Sequence, residues 1–158
     1  MNAPGSERDG RIVVGVDGSE GSKNALRWAA RQASLTGAAL EAVIGWEYPA
    51  FYGWAAAIPD DLDYDKLAGH ALGAAVDEVF GRDRPAWLRT RVMCRHPALA
   101  LVEASEGAQL LVVGSRGHGA LADMLLGSVS TYCVHHAHCP VTVIRPAGGA
   151  PANKAPTR

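Results

Sequence analysis

No apolar run in the 158-residue sequence approaches the roughly 20 residues that cross a bilayer, and the start, MNAPGSERDG, lacks the apolar stretch of a secretory signal. Both absences lead to the expectation of a cytoplasmic protein. Cysteine is scarce. Cys94, Cys133 and Cys139 are odd in number and have no framework spacing, which suits a reducing compartment better than a disulfide scaffold. Nor is there an excess of charge of either sign: 15 Lys plus Arg stand against 16 Asp plus Glu. The chain therefore offers no broad cationic face to nucleic acid or to an anionic membrane. Internal repeats are absent as well. What remains, at 48% hydrophobic and 20% charged residues, is the composition of one ordinary globular domain with a well-buried core.

Short apolar runs alternate with helical periods along the chain. RIVVGV (residues 11–16) is β-branched and ends at Asp17-Gly18-Ser19, the pattern of a buried parallel strand and its turn. Ser19 can cap a helix on which Leu26, Ala29, Ala30 and Ala33 recur at i, i+3, i+4, i+7, and Gly37 is placed to end it. ALEAVIGW (39–46) is a second strand. The segment 47–65, rich in Pro, Gly and aromatics, has no sustained period and is expected as an inserted loop before a helix over 65–80 that Gly81 stops. LRTRVMCR (88–95) is a third strand; His96-Pro97 then opens a short helix with Ala98, Leu101, Val102 and Ser105 on its inner face. AQLLVVGS (108–115) is a fourth strand, Ser128 to about His136 a last helix, and PVTVIRP (140–146) a fifth strand.

Strands separated by helices pair in parallel through right-handed crossovers. The expected class is α/β, a three-layer sandwich whose five-stranded parallel sheet has the order 3-2-1-4-5 and helices on both faces. A single domain is expected over residues 11–146, between flexible ends at 1–10 and 147–158.

In that order a ligand crevice lies where the winding reverses, between strands 1 and 4 at their carboxyl ends. The turns meeting there carry Asp17, Gly18 and Ser19 on one side and Gly114, Ser115, Arg116 and Gly117 on the other. Gly114 and Gly117 let backbone amides approach a ligand. Gly127 and Ser128 open the last helix, whose unpaired amides and positive dipole end favour an anion, with the hydroxyls of Ser128 and Ser130 as further donors. Phosphate is the expected anion. Beside phosphate, Asp17 would repel unless Mg²⁺ joined the two, which makes Asp17 the candidate metal ligand; its alternative role is to cap the first turn. The glycines likewise have a plain alternative as turn residues. His118 stands inside the loop, either touching phosphate or solvated.

Two named phosphate motifs do not fit. A Walker loop needs G-x-x-x-x-G-K-[ST], and no Lys occurs between Gly114 and Ser130. GHGALA (117–122) has the glycines of a dinucleotide turn, but no Asp or Glu stands near the position about 20 residues on that would bind a ribose. No paired carboxylates, Ser-His-Asp set or Cys-His pair can be assigned, so rapid catalysis is not expected.

Gly114-x-x-Gly117, nine residues, then Gly127-Ser128 resembles the G-2x-G-9x-G-[S/T] signature of the ATP-binding branch of the universal stress protein family. VVGVDGS at the first strand and HCPVTVIR at the last are similar to that family too, and the likeness spans about residues 11–145. The resemblance implies a Rossmann-like fold of the adenine nucleotide alpha hydrolase type with ATP in the crevice. By position, Gly15, Val16 and Asp17 would line the first turn, Asp17 near ribose and the metal-phosphate. Gly45 and Val113 would bracket adenine, while Gly114, Gly117, Gly127, Ser128, Val129 and Ser130 would hold the phosphates, with Arg116 in the same turn. It also implies a homodimer through the last strand, VTVIR (141–145), which would otherwise be an unprotected edge. The function implied is a Mg-ATP-binding stress-response or signalling module. Its rivals are a slow ATP hydrolase using Asp17-bound Mg²⁺ and an interaction protein without nucleotide.

One feature departs from the resemblance, and another invites metal chemistry. The insert carries Tyr48, Phe51, Tyr52 and Trp54, expected either as a lid or partner surface or as aromatics packed over the nearest helix. YCVHHAHCP (132–140) holds the zinc-competent Cys133, His136, His138 and Cys139, yet Cys133 follows Val129 by four, the spacing of an inward-facing helix position.

Overall fold

The computed structural model describes residues 10–48, 63–117 and 126–146. Among them, strands β1 (Arg11–Gly15), β2 (Ala39–Trp46), β3 (Leu88–Cys94), β4 (Leu110–Gly114) and β5 (Val141–Ile144) form one parallel sheet. Its order is β3-β2-β1-β4-β5, the doubly wound, Rossmann-like arrangement expected from the alternation of elements. Ile12 pairs with Leu40 on one side and Leu110 on the other, so β1 is central and its Ile12, Val13 and Val14 are all buried. Successive side chains of β1 feed opposite faces. Ile12 and Val14 join a core with Leu26, Leu40, Leu72, Val76 and Val112; Val13 joins a second with Val43, Leu101, Leu111, Val113 and Cys133.

Helices α1 (Glu20–Thr36) and α2 (Tyr64–Phe80) cover the first core, α3 (Pro97–Ala104) and α4 (Ser128–His136) the second. The Ser19 hydroxyl accepts the Ser22 N–H at the start of α1, and Gly37 ends that helix at φ 72°, where any residue with a Cβ would be strained. Ala25, Ala29 and Ala33 are small enough to seat α1 close to the sheet. Asp63 caps α2 by accepting the Lys66 N–H.

Element ends differ from expectation by one or two residues. Ala108 donates its N–H to Ser105, so it closes the turn after α3 instead of opening β4. On α3 the buried residues are Ala98, Ala100, Leu101 and Ala104, followed by Ser105, whereas Val102, expected inward, is only half-buried. A helix of this length packed against both β2 and α4 buries two adjacent stripes, and small alanines fill the second one. Cys133 is fully buried in the second core, which pushes its thiol up to about 11 and leaves it a small apolar filler. Burial also raises the Cys139 thiol.

Candidate functional site

A cavity of about 370 Å³ opens at the carboxyl ends of β1 and β4, where the winding reverses. Gly15, Val16 and Asp17 line it from the first turn; Gly45 from β2; Val113, Gly114, Arg116 and Gly117 from β4 and its turn. The start of α4 adds Gly127, Ser128, Val129 and Ser130. All twelve positions expected from the sequence thus meet in one space. Ser22, Val43, Pro97 and Leu101 also line it and were not expected there. Val43 could have been found, because it lies two residues before Gly45 and so shares its face of β2. Pro97 and Leu101 need the tertiary knowledge that α3 begins over that strand end.

Two of the glycines answer to packing. A Cβ on Gly45 would come within 2.8 Å of Pro97 Cα and 2.9 Å of the Arg95 carbonyl oxygen, so glycine lets the first turn of α3 lie directly on β2. A Cβ on Gly114 would stand 3.0 Å from the backbone of Gly21, where α1 and the β4 turn touch main chain to main chain. Gly127 is different. Its φ of −70° and ψ of 167° suit any residue, and a Cβ there would meet its nearest atoms at 3.6–3.7 Å, ordinary contact distance.

The turn after β1 is cross-braced. The Asp17 N–H donates to Ser22 Oγ at 3.2 Å, and Asp17 Oδ1 accepts the Ser19 N–H at 2.9 Å and the Ser19 hydroxyl at 2.5 Å. Asp17 Oδ2 faces the other turn, where a Cβ added to Gly117 would come within 2.5 Å of it. Asp17 therefore caps its own turn and also faces the β4 loop across the crevice. On that loop, Gly127 donates its N–H to the carbonyl of buried Ser115 at 2.6 Å. The Ser130 hydroxyl lies 3.2 Å from the same carbonyl oxygen and 3.1 Å from that of Gly127, so its proton is shared between the β4 turn and the first turn of α4. The N-cap of α4 is Gly127, which makes no side-chain capping hydrogen bond.

Behind the Asp17 turn, Lys23 is buried and bridges α1 to Glu78 of α2 at 2.8 Å while also pairing with Glu20. The hydrogen bonds to Glu20 and Glu78 raise the Lys23 amine, and Lys23 in turn lowers the Glu20 carboxyl. Of the insert, Tyr48 is described: it meets Trp46 and Tyr64 edge-on, ring centres 5.1 and 5.7 Å apart, and so packs at the start of α2. Phe51, Tyr52, Trp54 and His118 lie outside the described residues. Among the described residues no group of His, Cys, Asp and Glu is gathered to hold a metal, and no helix is long and apolar enough to cross a membrane.

The sequence model of the universal stress protein family matches residues 10–145. The chain belongs to that family. A universal stress protein of Mycolicibacterium smegmatis is 40% identical over an alignment of 141 residues that covers 84% of this chain and 47% of that relative. The chain spans about half the length of the curated relatives it matches. Among solved structures, the universal stress protein UspA from Lactobacillus plantarum has the same fold, with a TM-score of 0.64 at 24% identity over 87% of this chain and 99% of that one. A universal stress protein solved in complex with cAMP matches with a TM-score of 0.55 at 26% identity, covering 85% of this chain and 95% of its own.

Proposed function

We propose that this universal stress protein domain binds an adenine nucleotide, as Mg-ATP, in the crevice between β1 and β4, and acts as a cytoplasmic stress-response or signalling module read through its nucleotide state. The observation that carries the proposal is Gly127. Among the described residues nothing in the packing requires glycine at that position, yet glycine leaves the cavity open at the start of α4, where backbone amides and the helix dipole favour phosphate. Val16, Val43, Val113 and Leu101 supply an apolar end suited to a base. The cavity volume of about 370 Å³ lies within the roughly 300–1,000 Å³ of small-molecule sites. The cAMP complex of a relative supports the ligand class.

The residues present fit Mg²⁺, which is commonly held by one or two carboxylates together with substrate phosphates and water. Asp17 would supply the carboxylate, facing the Gly117 turn, and the ion would neutralise the repulsion between that carboxylate and the phosphates. Asp17 and Arg116 are the ionisable side chains on the described cavity wall, so hydrolysis, where it occurs, is slow. The domain pairs as a homodimer through β5: Val141, Thr142, Val143 and Ile144 form a half-buried edge with no charged residue, whereas the opposite edge strand, β3, carries exposed Arg89 and Arg91.

Calorimetric titration of nucleotide-stripped protein with Mg-ATP tests the site. Micromolar binding, about 8 kcal/mol, is expected. It should be lost in Gly127→Glu, whose carboxylate occupies the place of phosphate. A folded wild-type protein that binds no nucleotide would overturn the proposal. For the dimer, light scattering should give twice the chain mass for wild type and a monomer for Thr142→Lys, which places a charge on the pairing edge.

A further inference from the structure

We infer that Ser19 is a positioning residue for the metal-nucleotide, holding the Asp17 carboxylate in the orientation that faces the phosphate loop. The inference rests on the proposed Mg-ATP site and deepens it. As a helix cap, Ser19 needs only its hydroxyl oxygen, which accepts the Ser22 N–H at 3.2 Å. Capping leaves the hydroxyl proton unused, and that proton goes to Asp17 Oδ1 at 2.5 Å, beside the Ser19 N–H on the same oxygen at 2.9 Å. Ser22 closes the ring: its hydroxyl accepts the Asp17 N–H at 3.2 Å and donates to the Ser19 carbonyl at 3.0 Å. Main chain and carboxylate of Asp17 are therefore both tied to the first turn of α1, and the carboxylate is set with Oδ1 on α1 and Oδ2 toward Gly117.

Such an arrangement suits a carboxylate that must meet a cation without reorganising. Two donors on one oxygen fix the rotamer, with the other oxygen on the Gly117 side. Partners that orient metal-ligating side chains commonly account for ten- to a hundredfold in metal affinity.

The test is the ATP affinity of the whole, nucleotide-stripped chain in excess Mg²⁺ and again in EDTA, for wild type, Ser19→Gly, Ser19→Thr and Ser22→Ala. Glycine caps a helix nearly as well as serine but has no hydroxyl, so far-UV spectra and melting curves should match wild type. Ser19→Gly should weaken binding about tenfold or more in Mg²⁺ and leave the EDTA value within about twofold, and Ser19→Thr should restore the Mg²⁺ value. Ser22→Ala keeps the Ser19 cap, removes the acceptor of the Asp17 amide, and should show a smaller loss of the same Mg²⁺-selective kind. Equal losses in both buffers, no loss in Ser19→Gly, or no rescue by threonine would overturn the role of Ser19 while leaving the nucleotide site standing. A wild type that binds ATP equally in both buffers would remove the metal and this inference together; one that binds no ATP would remove the proposed function as well.

Discussion

The two walls of the crevice are built on opposite terms. On the wall formed by β2 and α3, the space beside Gly45 is already taken by Pro97 Cα and the Arg95 carbonyl, so its glycine serves the contact between helix and strand. At the start of α4 on the other wall, a Cβ on Gly127 would meet its nearest atoms at only 3.6–3.7 Å, so packing among the described residues does not call for glycine there, and on the proposed function its glycine serves the ligand. The first wall is as incompressible as any core, because backbone cannot move aside as a side-chain tip can. Glycine at a ligand crevice is thus not one signal but two, and only the surroundings of each Cβ position separate them.

The contrast can be broken most forcefully at Gly45. Gly45→Val should drive the first turn of α3 off β2 and destabilise the domain by about 3 kcal/mol, the upper range for overpacking, as read in urea unfolding. Nucleotide binding should fall with the fold. Gly127→Glu should leave the unfolding midpoint near wild type and weaken Mg-ATP at least about a hundredfold, or about 2.7 kcal/mol. Were its midpoint to drop as far as that of Gly45→Val, the distinction between the walls would be lost. Gly127→Ala sharpens the comparison, since its methyl fits the protein at 3.6–3.7 Å and can disturb only the ligand. Stability within about 0.5 kcal/mol of wild type is expected, with a weaker affinity in the same titration.

The smallest effect lies behind the Asp17 turn, in the ion pairs of Lys23. The hydrogen bond from Lys23 lowers the Glu20 carboxyl, so the stability this pair contributes is complete above the ordinary carboxylate range and is lost as pH falls through the folded-state value. Wild type and Glu20→Gln should therefore differ slightly at neutral pH and converge in thermal melts once the pH has fallen below the ordinary carboxylate range and through the lowered folded-state value. A difference that grew on acidification would contradict the pairing.

Much of this was legible beforehand because its causes are local. Ser19 and Gly37 bound α1, Gly81 ends α2, and Gly127 and Ser128 open α4, each because the residue itself satisfies or permits the backbone at a helix end. The convergence of Asp17, Gly114, Arg116, Gly117, Gly127, Ser128 and Ser130 was also readable from the order of elements, whereas Gly15, Val16, Gly45, Val113 and Val129 came from the family resemblance. Val102 was misplaced because the inner face of a short helix depends on whether α4 lies beside it. Ser22 was overlooked because a serine three residues past a cap looks like any first-turn serine until its hydroxyl is seen to hold Asp17.

By itself, the sequence determined the kinds of elements, their order, most of their ends and the crevice between β1 and β4, all consequences of periodicity, capping and handed crossovers. Only the tertiary structure decided why Gly45 and Gly114 must be glycine, which oxygen of Asp17 turns to the crevice, and that the Ser130 hydroxyl reaches the Ser115 carbonyl. Each of these depends on an atom that approaches from a distant part of the chain, and a pattern along the sequence carries no record of that distance.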